Sequence, residues 1–109
     1  MKCTAQIQAG VCGFATQVTA DSPDDQNVTL AIETDCDTIA GLAEALNGTE
    51  IDGYDEIAKG FDGVVMTAVR STLSGCCAGC AVPVGIFKAL QAAARVALPR
   101  DVAITIREG

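Results

Sequence analysis

A strict two-residue alternation near the start of the chain leaves it few folds to choose from. Over residues 3 to 9, Cys3, Ala5, Ile7 and Ala9 fall on one side and Thr4, Gln6 and Gln8 on the other, which is the period of a strand with one face buried. From Phe14 to Ala20 the pattern repeats, with Phe14, Thr16 and Val18 set against Ala15, Gln17 and Thr19. A third run, Val28 to Thr34, spaces Val28, Leu30 and Ile32 by two. The glycine-bracketed turn Gly10 to Gly13 is short enough to make the first two runs a hairpin, and a polar loop from Asp21 to Asn27 leads into the third.

The period then changes. After Asp35-Cys36-Asp37, Ile39, Leu42, Ala43 and Leu46 share one helical face, and Asn47-Gly48 is a stop signal. Helical spacing resumes through Ile57, Phe61, Val65, Ala68 and Val69, weakened by Gly60 and Gly63, so the reading is a second helix split near Asp62. A helix is expected from Pro83 to Leu98, stopped by Pro99, with Ile86, Leu90, Ala93 and Ala97 inward. Val102 to Arg107 alternates again and reads as the last strand. Every strand has one apolar face and one rich in Thr or Gln, so helices should cover only one side of the sheet. The expectation is a single α+β domain spanning residues 1–109, a two-layer sandwich of element order βββααβ with a four-stranded, largely antiparallel sheet. The outer face is left to water or to a second copy in a homodimer.

Composition narrows the chemistry. With no Trp, one Tyr and three Phe, the core must be built from Ala, Val, Ile and Leu. Seven basic residues are scattered among fourteen acidic ones for a net charge of -7, which argues against a nucleic-acid partner. There is no histidine, so His-based acid–base catalysis, Cys-His nucleophiles and mixed Cys/His zinc sites are ruled out. No apolar run reads as a membrane span, and the first residues lack the layout of a signal peptide. The expected setting is cytoplasmic, where six cysteines point to metal or thiol chemistry rather than a disulfide framework. The triplets at Asn27 and Asn47 read there as a strand start and a turn rather than glycosylation sites.

Three of the cysteines stand in Gly75-Cys-Cys-Ala-Gly-Cys80, immediately before a helix whose amino end favours a thiolate over a thiol. Following the chain directions, the first hairpin turn brings Cys12 to one end of the sheet. The third strand brings Cys36 there, and the returning helix brings Cys76, Cys77 and Cys80. Cys3 falls at the opposite end, where it reads as a small apolar core residue.

A Cys-Gly-Phe turn, an isolated Cys opening the first helix and Cys-Cys-Ala-Gly-Cys-Ala-Val-Pro before the last one resemble a small, cysteine-rich family of uncharacterised proteins of anaerobic archaea and bacteria, a domain of unknown function. The resemblance covers nearly the whole chain and implies no established activity. It favours oxygen-sensitive metal chemistry.

Three functions compete. The leading expectation is a metal-thiolate site, an iron-sulfur cluster or alternatively zinc, held by Cys12, Cys36, Cys80 and one of Cys76 or Cys77. The second is thiol–disulfide exchange with a redox partner protein through Cys77 and Cys80. The third is a small anion held at the two helix N-termini, the cysteines being bystanders. Hydrolysis ranks last, since Asp35, Asp37, Asp52, Asp55 and Glu56 all suit helix caps and first turns.

Overall fold

The computed structural model describes residues 1–109. Three alternating runs become strands β1 (Lys2–Gln8), β2 (Ala15–Asp21) and β3 (Asn27–Thr34), joined as an antiparallel meander. Register follows from the apolar positions: Ala5 stands opposite Val18 and Val18 opposite Ile32, so one face is continuous across the strands. Thr16, Val18 and Ala20 of β2 and Val28, Leu30 and Ile32 of β3 are buried, whereas Gln17, Thr29 and Glu33 on the other face are exposed. The Thr16 and Thr34 hydroxyls, 2.8 Å apart, satisfy each other at the end of the buried face where β3 finishes.

Helix α1 (Asp37–Leu46) follows β3 and buries Ile39, Leu42, Ala43 and Leu46, the face its spacing predicts. Strand β4 (Glu50–Asp52) then pairs antiparallel with residues 27–29 of β3, giving a sheet of order β1-β2-β3-β4. Above Thr29, the side chain of Asn47 takes over from β4. Its Oδ1 accepts from Ile32 N at 2.7 Å and its Nδ2 donates to Ile32 O at 3.2 Å. Helix α2 (Gly53–Lys59) is capped by Asp52, whose carboxylate accepts from Tyr54 N and Asp55 N. A 3-10 turn at Gly60–Asp62 makes the expected break before α3 (Val64–Thr72). The break is held by Glu56, 2% exposed, whose two carboxylate oxygens accept from Val64 N and Val65 N at 3.0 and 2.7 Å. A side chain at Gly63 would run into that carboxylate.

Helix α4 (Val82–Ala93) crosses back over β1 and β2. Gly85 rests on Ile7 so closely that a Cβ would overlap the Ile7 side chain, the close helix-to-sheet approach that a core poor in aromatics demands. By length and composition alone, Gly75–Ala93 is apolar enough to cross a membrane, which the sequence reading did not anticipate. Here the stretch divides into a 3-10 turn and α4, whose Val82, Ile86, Leu90 and Ala93 lie in the domain core.

Two expectations change at the end of the chain. The last helix stops at Ala93 instead of Leu98, because Arg95 takes a left-handed conformation (φ 62°) and its Nε reaches the Asp25 carboxylate at 2.9 Å. Residues 102–107 form no strand: Val102, Ile104 and Ile106 are exposed, and the fourth strand is Glu50–Asp52, where the sequence pattern assigns none. The domain is α+β, a four-stranded antiparallel sheet with its helices on one face.

Candidate thiol site

The cysteine loop is a single 3-10 turn, Gly75–Gly79, between the end of α3 and the start of α4. Gly75 opens it with φ 59°, a conformation that L side chains rarely adopt. Inside the turn Cys77 N donates to Ser74 O and Cys80 N donates to Cys77 O, both at 3.1 Å. The second bond closes a four-residue turn, which brings the Cys77 and Cys80 α-carbons within about 7 Å, close to the span a disulfide bridges. Cys80 is extended (φ -65°, ψ 141°) and leads into α4 through Ala81.

At that amino end the first N–H of α4 turns back on the loop: Val82 N donates to Cys80 Sγ at 3.5 Å. Pro83 has no N–H to offer, and Gly85 N is taken by Ala81 O at 3.3 Å. The sulfur of Cys80 therefore holds a backbone donor that no carbonyl takes. Cys77 and Cys80 are half-buried against the hydrophobic core, and Cys76 between them and Gly75 is exposed.

The remaining cysteines are distributed as follows. Cys12 is exposed in the 3-10 turn Gly10–Cys12 that joins β1 to β2. Cys36 precedes α1 as its cap residue, its N donating to Thr34 Oγ1 at 3.1 Å and its carbonyl accepting from Ala40 N at 2.8 Å. Its thiol makes no capping bond and packs, half-buried, on the core. Since Gly85 lies on Ile7, α4 begins at the end of the sheet where β1 finishes and β3 gives way to α1. Cys3 is at the other end, paired with Ala20, its thiol directed to Met1 Sδ at 3.2 Å.

All six thiols are free, and no three Cys, Asp or Glu side chains form a group able to hold one metal ion. Cys12, Cys36, Cys76, Cys77 and Cys80 thus share an end of the fold without forming a ligand set. A shallow polar hollow of about 470 Å³ lies at the same end of the sheet, lined in part by Gln8, Gln17, Glu33 and Asp35. Sequence reasoning found the thiols but missed the groups that orient them. Ser74 acts through its carbonyl and Val82 through its N–H, and neither role leaves a mark on residue type.

No curated protein and no solved structure matches the chain. One family model does, over residues 3–106, so that the cysteine turn, α4 and most of the segment after it fall within a single match. The chain belongs to the family of unknown function DUF6951.

Proposed function

We propose that the protein is a thiol–disulfide redox protein acting through Cys77 and Cys80, in a reducing cytoplasm. The observation that carries this reading is the closed turn from Cys77 to Cys80 at the amino end of α4, with Val82 N–H on the Cys80 sulfur. A thiolate at Cys80 keeps that donor and gains charge-assisted strength from it. Such a sulfur is suited to attack the disulfide of a partner protein.

In the first step the Cys80 thiol gives its proton to solvent, and the thiolate attacks one sulfur of the partner's disulfide. A mixed disulfide forms and one partner thiolate leaves. Cys77 then loses its proton and attacks the Cys80 sulfur, releasing the second partner thiolate. The balance is two protein thiols oxidised to one disulfide and one partner disulfide reduced to two thiols. With no histidine in the chain, water or buffer carries the protons.

The second reading is the metal-thiolate site at Cys12, Cys36, Cys76, Cys77 and Cys80, holding an iron-sulfur cluster or zinc. It is favoured by the arrival of three chain segments at one end of the sheet, and it requires the two cysteine-bearing turns to move together around the ion. The anion reading is weakest. At α4 Pro83 offers no donor and Val82 N and Gly85 N are engaged, which leaves Val84 N alone, and α1 carries Asp37 in its first turn, where it repels an anion.

One experiment separates the readings. The protein is purified without oxygen, assayed for iron, zinc and acid-labile sulfide, and then titrated with glutathione buffers and mapped by mass spectrometry. Redox function requires metal-free protein with one reversible two-electron transition confined to Cys77 and Cys80. Stoichiometric metal lost together with the Cys12→Ser or Cys36→Ser substitution would overturn it in favour of the metal site.

A further inference from the structure

The segment after α4 has the composition of a strand and the surroundings of none. From Leu98 to Gly109 every residue is exposed, including Leu98, Val102, Ile104 and Ile106 at 72, 55, 69 and 90%. No backbone–backbone hydrogen bond involves a residue beyond Val96. Nor is the segment an appendage, since the family match continues through Ile106.

The sheet has a matching vacancy. Strand β1 is an edge, paired with β2 alone, and an unpaired edge offers a row of N–H and C=O groups to any extended chain. Its inward residues Cys3, Ala5 and Ile7 are only half-buried, although they belong to the face that α4 covers. A groove of about 700 Å³ runs along β1 from Cys3 to Gln8, with α4 on one side. Its outer wall is residues 98–104 of the same chain. The chain's own segment therefore bounds the groove and does not fill it.

We infer that the occupant is the same segment of a second copy: two chains exchange residues 102–107, each adding as a fifth strand to the β1 edge of the other. The areas agree with this. The chain exposes 6659 Å², whereas a compact monomer of 11.1 kDa exposes about 5,700 Å². The excess of roughly 1,000 Å² per chain, taken over two chains, reaches the top of the standard size range of stable interfaces, where obligate homodimers begin. Alternation supplies the register: with Val102, Ile104 and Ile106 on one side, the added strand lays three β-branched side chains beside Cys3, Ala5 and Ile7 and over Val84, itself 42% exposed. The exchange is isologous and closes on itself. It uses an edge of the sheet, so it is distinct from pairing through the Thr- and Gln-rich face, and it does not depend on the thiol chemistry.

The test compares the intact chain with Ile104→Lys/Ile106→Lys and with a chain ending at Pro99, all under reducing conditions. Light scattering after size exclusion gives the mass, and hydrogen exchange reports the amides of residues 2–8. The intact chain should run at twice 11.1 kDa with its β1 edge amides protected. Both variants should run as monomers, with those amides exchanging faster by an order of magnitude or more. If the shortened chain fails to fold, the double lysine variant decides alone, because its substituted positions are exposed in the single chain. An intact chain that stays monomeric, its segment folded on its own β1 or free, overturns the inference. So does a variant that stays dimeric, or a loss of dimer that leaves β1 protection unchanged.

Discussion

At Glu56 a charged side chain is buried for a backbone reason. Each of its oxygens holds one of the first N–H groups of α3, so a residue from the preceding helix caps the next across a three-residue turn. Glu56→Ala removes both acceptors and opens a void. The expected loss is about 2–4 kcal/mol by urea denaturation, with Glu56→Gln, which keeps one good acceptor, losing about half as much. An alanine variant as stable as the parent would mean that water replaces the carboxylate. At the thiols, the order of the two cysteines can be read chemically. In a background with Cys3, Cys12, Cys36 and Cys76 replaced by Ser, Cys77→Ser leaves the attacking sulfur without its resolving partner, and an aromatic disulfide should be trapped on Cys80 as one stable adduct by intact mass. Cys80→Ser should trap little, and equal trapping in both would remove the assigned roles. The sequence made these sulfurs conspicuous because three cysteines between glycines have no ordinary packing reason. Glu56 was read as a first-turn residue, and its reach to Val64 and Val65 follows from where the chain turns at Gly60 and Gly63, which residue type does not encode.

Among the elements, the ones with one buried face and several repeats of their period were legible: β1, β2, β3 and α1 lie within a residue or two of where the pattern puts them. Strand β4 was not, since three residues contain too little alternation to be told from a turn. The stretch from Val102 to Arg107 failed differently. Its pattern describes what a strand side chain wants, whereas a strand exists only once a neighbour supplies hydrogen bonds. Asn47 shows how few such bonds decide an edge. Asn47→Ala would leave Ile32 N and O unpaired beside α1, costing about 1–3 kcal/mol by thermal or urea unfolding, and a neutral result would show that solvent enters there. At the far end of the meander, the loop before β3 is set by Asp24. Its carboxyl is drawn down to about 2, chiefly by the Asn27 backbone N–H, with the Asn27 side chain and Gln26 N–H adding to it. Because folding lowers this group from its ordinary 3.8, its stabilisation is complete above that value and disappears as pH falls through about 2. Asp24→Asn should therefore show a flatter acid-unfolding profile between those values, and an unchanged profile would shift the acid sensitivity to Asp25 and Asp52, whose carboxyls are also lowered.

For the whole molecule the net charge of -7 is the term that acts everywhere. Most carboxylates have no cationic partner: the side-chain ion pairs are Lys59 with Asp55, Arg70 with Asp62 and Arg95 with Asp25, all exposed and each worth little. Self-repulsion should then outweigh the pairs, so moderate salt should raise the melting temperature at neutral pH. A fall would mean that the pairs matter more than their exposure suggests. A different whole-molecule consequence comes from the contact of Gly85 with Ile7, residues from opposite ends of the chain. During synthesis the meander β1 to β3 can form early from local pairings and α1 can cover β3, but the apolar face of β1 and β2 has no cover until α4 has left the ribosome. The cysteine turn emerges just before that helix. It acquires its half-buried setting only when α4 docks, so a nascent or stalled chain presents these thiols unshielded, and the last element to arrive sets when they become selective.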